Sequence, residues 1–288
     1  MDATLSHRET ARRHGKEAGE ARALVRVAPL RSVPGRARSL LDPLVTLAVL
    51  VALWAGGVWL FEPYPFILPS PVRVAETLWS ARASLADHAA ITATEILLGL
   101  LLGTLFGVAT ALLVNAWAPA RRFLMPLVVA SQALPVFAVA PLLVVWFGLG
   151  LGSKIAMATL IIYFPVASAL GDGLERAEGD LVDLGRIYGA SPLQLLLHIR
   201  LPAAMPALAS GLRVAATVAP IGAVVGEWVG AAGGLGYVIN QANARGQTDT
   251  MFAALIVLFA LVIVLRWAVD ACLDRFVHWT PRTNGTLR

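Results

Sequence analysis

Long apolar stretches alternate with short polar ones along this chain. Residues 43–61, 96–120 and 123–153 contain no Asp, Glu, Lys or Arg at all. About 20 consecutive apolar residues are enough for a helix to cross a hydrocarbon core of roughly 30 Å. Lipid offers the backbone no hydrogen-bond partner, so only helices and closed barrels span it. The apolar runs here are continuous rather than alternating, which favours helices. The pattern predicts six spans, at 43–61, 91–114, 124–147, 155–171, 207–229 and 251–272. After the first span, the proline-rich stretch 62–71 (EPYPFILPSP) breaks the chain. Residues 72–87 then read as a short amphipathic helix with Val72, Val74, Leu78 and Leu85 on its apolar face.

Composition agrees with this pattern. Of 288 residues, 58% are hydrophobic and only 14% charged, against about 25% charged in soluble domains. Mean hydropathy is +0.72. The net charge of +5 could indicate nucleic acid, but the position of the cations explains it better. With the N-terminus inside, the predicted inner segments carry 17 Lys and Arg, and the outer segments carry 4, Lys154 among them. Arg213 and Arg266 fall near the inner ends of spans five and six. This bias predicts cytoplasmic termini. Residues 1–42 then form a largely disordered cytoplasmic arm, 43–272 the membrane domain, and 273–288 a cytoplasmic tail. The arm is polar for about 40 residues before the first apolar run, unlike a cleavable signal peptide. Prolines 126, 135, 141, 165 and 220 fall inside spans three, four and five, where each removes a helix hydrogen bond.

Several chemistries lack their residues. The single cysteine, Cys272, rules out an internal disulfide or a CxxC metal site. Histidines 7, 14, 88, 198 and 278 have no metal-ligand spacing. The run 148–154 (GLGLGSK) looks like a phosphate loop but lacks Gly-Lys-Ser/Thr order, and reads as a turn between spans. Residues 233–236 (GGLG) read as a flexible outer loop or re-entrant turn. The pattern therefore predicts a chain without catalytic residues, metal or cofactor of its own. Glu95 and Glu227 fall within spans, where ionisable groups are costly. Arg266 and Asp270 are spaced to pair on one helix. Gln132, Tyr163, Glu227, Trp228 and Asn240 are the polar and aromatic candidates for a solute pathway, with Ser131 and Gln241 adjoining them.

The longest internal polar loop, 172–206, is too structured for a linker. Residues 180–188 read as a helix ended by Gly189. Ser191 can cap a second helix with Pro192 in its first turn, which Leu201-Pro202 would end. Such a pair presents an apolar face to the cytosol and calls for a partner.

This loop resembles the cytoplasmic signature of ABC importer permeases, E-A-A-x3-G-x9-I-x-L-P. Gly189, Ile199, Leu201 and Pro202 match its second half with the right spacing. The first half reads Asp183-Leu184-Gly185, keeping an acid and one small residue. The stretches 68–74 (LPSPVRV), 141–166 and 226–239 (GEWVGAAGGLGYVI) look like nitrate, sulfonate and taurine permeases. The stretches 131–141 (SQALPVFAVAP) and 242–255 (ANARGQTDTMFAAL) look most like permeases for thiamine pyrimidine precursors. The resemblance implies an all-α membrane protein of six transmembrane helices, with the type I importer permease (MetI-like) architecture, in a bacterial inner membrane. It implies a permease homodimer surrounded by lipid. A cytoplasmic ATP-binding subunit would dock on Asp183, Gly185, Gly189, Ile199, Leu201 and Pro202, bind the ATP and hydrolyse it. A periplasmic or lipid-anchored solute-binding protein would deliver the solute; nucleic acid has no part. A pyrimidine such as hydroxymethylpyrimidine or formylaminopyrimidine is the expected solute, with a sulfonate, taurine or nitrate as the alternative. The absence of a cation near mid-membrane leans towards the neutral heterocycle. A secondary transporter would show inverted repeats, and a membrane enzyme a convergent catalytic set; neither is legible.

Overall fold

A computed structural model describes residues 38–132, 135–177 and 179–276. Most of the predicted N-terminal arm and C-terminal tail lies outside these. The described residues are helical throughout, with α1 Arg38–Phe61, α2 Pro71–Ser80, α3 Arg82–Ala116, α4 Ala118–Gln132 and α5 Val136–Phe147. There follow α6 Leu151–Glu175, α7 Gly179–Ile187, α8 Pro192–Leu195, a π-helical turn Leu196–Arg200, α9 Leu201–Gly230, α10 Leu235–Ala244 and α11 Thr248–Phe276. Residues up to Leu53 form one compact unit, of which the start of α1 is described; residues from Trp54 form the second.

Five helical stretches among the described residues are long and apolar enough to cross a membrane: Leu44–Phe61, Arg82–Ala116, Leu151–Glu175, Pro192–Gly230 and Thr248–Phe276. The predicted third span, 124–147, is not one helix. It divides into α4 and α5, with Pro135 at the N-cap of α5 in extended conformation. Proline disfavours the helical region for the residue before it and lacks a donor. Pro126 and Pro141, by contrast, are accommodated inside α4 and α5.

The centre of the unit is α6, packed between α3 and α9. Three glycines of α3, at four-residue intervals, make this possible. A Cβ on Gly99 would collide with the Ala158 side chain, one on Gly103 would lie 2.6 Å from Ile162, and one on Gly107 2.9 Å from Val166. Small residues let membrane helices approach until dispersion contacts are made along the backbones. The α9 side follows the same rule, and the shared core is rich in alanine: Ala158, Ala204, Ala215, Ala216, Ala219 and Ala223 are fully buried.

A second cluster joins α2, α3, α10 and α11 through Val74, Leu85, Leu235, Ile239, Ala253 and Ala254, with Trp54 against it. Trp54 donates its indole N–H to the Pro69 carbonyl at 3.1 Å and stacks on Phe252. The amphipathic helix expected over 72–87 ends at Ser80, and Leu85 belongs to α3. Ser70 caps α2 by accepting from the Arg73 amide, and Pro71 starts it. Val74 and Leu85 are buried as expected, whereas Val72 is exposed. The expected Arg266–Asp270 pair forms at 2.6 Å, and Arg213 joins it at 2.9 Å, tying α9 to α11.

Candidate functional site

The loop between α6 and α9 is built as its residues dictate, with one exception. Helix α7 ends in a Schellman motif: the Ala190 amide donates to the Gly185 carbonyl and the Gly189 amide to Arg186, both at 3.0 Å. Gly189 has φ +76, the left-handed conformation that this motif demands. The Ser191 hydroxyl then accepts from the Gln194 amide while the Gln194 side chain accepts from the Ser191 amide, a capping box with Pro192 behind it. The exception is Leu201-Pro202, which does not end the second helix. The π turn at Leu196–Arg200 carries the chain into α9 without a break. A proline near the start of a helical segment forfeits a donor, and the widened turn absorbs that mismatch.

Three of the six docking candidates, Gly185, Ile199 and Pro202, line one apolar groove of about 420 Å³ with Leu181, Leu184, Tyr188, His198 and Ala203; Asp183 and Gly189 are not in its lining, and Leu201 packs against the core. A Cβ at Gly185 would lie 2.6 Å from the Leu195 methyl and 3.0 Å from the Ile199 methyl, so these side-chain ends would have to shift to admit it. Around the groove Leu184, Ile187, Tyr188 and Leu193 are exposed, Tyr188 by 82%. Asp183 is exposed and paired with Arg186 at 2.9 Å. Behind the loop, Arg200 donates to Asn115 at the end of α3 at 3.1 Å, and Arg121 pairs with Glu175 at 2.8 Å. Both contacts anchor the loop region to the ends of the long helices.

At the opposite end of α9 lies a second constellation. The first amides of α10 have no cap from their own segment. The Gly234 amide donates to His88 Nδ1 at 3.1 Å, Leu235 to Thr92 Oγ1 at 2.8 Å, and Gly236 and Tyr237 to the Glu227 carboxylate. The Thr92 hydroxyl in turn donates to Glu227 at 2.6 Å. Glycine is favoured at 234 by its φ of +107, and at 236 a Cβ would lie 3.0 Å from the Val224 carbonyl oxygen as well as against the Glu227 carboxylate. Glu95 is fully buried and faces Glu227 and Lys154. Lys154 is not in an outer loop: residues 151–154 are the first turn of α6, and its ammonium donates to the carbonyls of Leu149 and Gly150 at 2.8 and 2.9 Å. The helix begins early because Gly150 can supply its extended N-cap.

The pathway candidates are placed less coherently. Trp228 is half-exposed and tilted against Phe137. Tyr163 is half-buried on α6, and Asn240 is exposed on α10. Glu227 is buried in the α10 contacts just described. The Gln132 and Ser131 side chains lie outside the described residues. None of Tyr163, Trp228 and Asn240 lines the loop groove. The sequence reading misses Thr92, His88 and the capping use of 233–236; the signal is the pairing of a buried acid with glycines seven and nine residues on.

The family described as "Binding-protein-dependent transport system inner membrane component" matches residues 99–278. A Haemophilus influenzae protein named "Probable ABC transporter permease protein" is 50% identical over 238 residues, covering 83% of this chain and 97% of that one. The formylaminopyrimidine transport permease protein ThiX of Halalkalibacterium halodurans is 33% identical, covering 86% and 99%. The riboflavin transport system permease protein RibX of Chloroflexus aurantiacus is 36% identical, covering 87% and 97%. Among solved structures, an inward-facing conformation of the MetNI methionine ABC transporter superposes with a TM-score of 0.61 at 23% identity, covering 69% of this chain and 98% of that one. The chain therefore belongs to the inner-membrane components of binding-protein-dependent transport systems: it is a multi-pass ABC importer permease subunit, not an enzyme, that works with a separate ATP-binding subunit and a solute-binding protein.

Proposed function

We propose that this permease passes a small neutral heteroaromatic solute, a pyrimidine precursor of thiamine, inward through a homodimer whose loop 172–206 docks on the ATP-binding subunit. The observation that carries the docking is the apolar groove lined by Gly185, Ile199 and Pro202. Its exposed leucines and Tyr188 suit the surface of a partner protein better than water; Asp183 lies on α7, and Gly189 sets the turn that leads from α7 into α8. ATP is bound and hydrolysed on the partner, and this chain contributes no cofactor. In this reading 1–42 and 273–288 are cytoplasmic, 43–272 is the membrane domain, and the lipid-facing helices surround the paired pathway. The bias of 17 cations against 4 supports that orientation. A reporter fused at Gln194 is expected to read cytoplasmic, and an external signal there would overturn it.

Two observations support the solute. The relatives ThiX and RibX carry the names of heteroaromatic solutes at 33% and 36% identity. Lys154, the buried cation of the described α6, is engaged by two carbonyls and faces Glu95, so it offers no free charge to a sulfonate. Tyr163, Trp228, Gln132 and Asn240 supply stacking and amide groups. The partner binding protein should be titrated calorimetrically with hydroxymethylpyrimidine, formylaminopyrimidine, riboflavin, taurine, alkanesulfonates and nitrate. Micromolar or tighter binding, about −8 kcal/mol, is expected for a pyrimidine. Tight binding of a sulfonate with no pyrimidine heat would reject the solute and favour the sulfonate alternative.

A further inference from the structure

Helices α8 and α9, with the π turn between them, form one continuous helical stretch of 39 residues, Pro192–Gly230. At about 1.5 Å per residue it is roughly 58 Å long. One end carries the loop groove. The other carries Glu227, three residues before the helix stops at Gly230. Beyond it the chain turns and enters α10, which has no side-chain cap of its own. The amides of residues 234 to 237 are instead taken by His88, Thr92 and Glu227. Glu227 is 1% exposed and Thr92 0%, so water does not compete for these bonds. Buried hydrogen bonds to a carboxylate are the strong kind. Removing the acceptor leaves buried amides unpaired, which is costlier than the bond's net worth.

We propose that Glu227, with Thr92 and His88, is a positioning element that fixes α10 to the far end of α9, so that displacement of the coupling loop reaches the outer face through one continuous helical stretch. The proposal rests on the docking function of the loop. Glu227 acts on α10 through its amides and needs no contact with solute. A carboxamide serves nearly as well: its oxygen accepts from Gly236 and Tyr237, and its NH2 can donate to Thr92 Oγ1 or to a carboxyl oxygen of Glu95. A leucine of similar length cannot accept at all.

The test uses the permease co-purified with its ATP-binding subunit in proteoliposomes, with the binding protein and formylaminopyrimidine supplied on the delivery side. The exposed Cys272 is first replaced by serine, and the exposed Asn243 on α10 by cysteine for labelling with a maleimide. In the otherwise wild-type complex, the labelling rate is expected to differ between the nucleotide-free and the ATP–vanadate states. Glu227→Gln should preserve that difference. Glu227→Leu should abolish it and lower solute transported per ATP hydrolysed by roughly tenfold. If Glu227→Leu fails to assemble, Thr92→Val, nearly isosteric, reports instead and should weaken the difference. A labelling rate that ignores nucleotide in wild type, or responds normally in Glu227→Leu or Thr92→Val, would overturn the proposal. Gly189→Val in the same preparation separates the two ideas. Uncoupling there with normal behaviour at Glu227 rejects the positioning element alone, and normal transport in Gly189→Val rejects the docking loop.

Discussion

Replacing Gly189 with valine is expected to abolish transport, by tenfold or more on an order-of-magnitude basis, while leaving the protein in the membrane at its normal level. Gly189 has φ +76 and nothing within 4 Å of a Cβ built on it. The cost is therefore one of backbone conformation rather than collision. A β-branched residue in this region is strained by roughly 1–3 kcal/mol. Relief requires the chain to leave the left-handed conformation, which breaks the Schellman bonds from Ala190 and Gly189. Helix α8 would then start in a different direction, and Ile199 and Pro202 would no longer face Gly185 across the groove. Gly189→Asn should retain most activity, because asparagine tolerates positive φ. The check is solute uptake at matched protein level. Wild-type uptake in Gly189→Val would remove the loop from the coupling step.

The second large effect is expected at Gly103, where the mechanism is collision. A Cβ would lie 2.6 Å from Ile162 Cγ2 and 3.1 Å from the Thr159 carbonyl. Gly103→Ile adds a branched side chain where even one carbon forces α3 off α6. Overpacking costs about 1–3 kcal/mol and can exceed it, which for a chain of this size lowers Tm by roughly 2–5 °C. Gly57→Ala is the control, since nothing lies within 4 Å of its Cβ. Thermal unfolding in detergent, followed by loss of monodisperse protein, measures both. Equal midpoints for Gly103→Ile and wild type would contradict the close α3–α6 contact.

The two sites are unequally legible in the sequence. The loop can be read closely because its information is local. Gly189, Ser191, Pro192 and Gln194 each fix the backbone within a few residues, and local rules suffice for them. The same rules misread Pro202 as a terminator, since a π turn upstream is not signalled by any one residue. Long spans are legible from length and composition, but the break in the third depends on how Pro135 is accommodated. What brings Glu227 to Gly236 and Thr92 to Leu235 is tertiary. The latter pair is separated by 143 residues, and no periodicity links them. The glycines 99, 103 and 107 are visible as a four-residue repeat, yet their meaning lies in the α6 residues opposite. Lys154 reads as part of an outer loop because a charge next to glycines suggests solvent, whereas carbonyls at the helix start and the nearby Glu95 receive it.

As an ABC importer permease subunit, this chain is driven by an ATPase on a separate subunit. The most direct measurement is uptake of radiolabelled solute into proteoliposomes holding the permease and its co-purified ATP-binding subunit, with the loaded binding protein added on the delivery side. Uptake should require ATP, the binding protein and the ATP-binding subunit together. Uptake of equal rate by the permease alone, driven by an ion gradient, would contradict it.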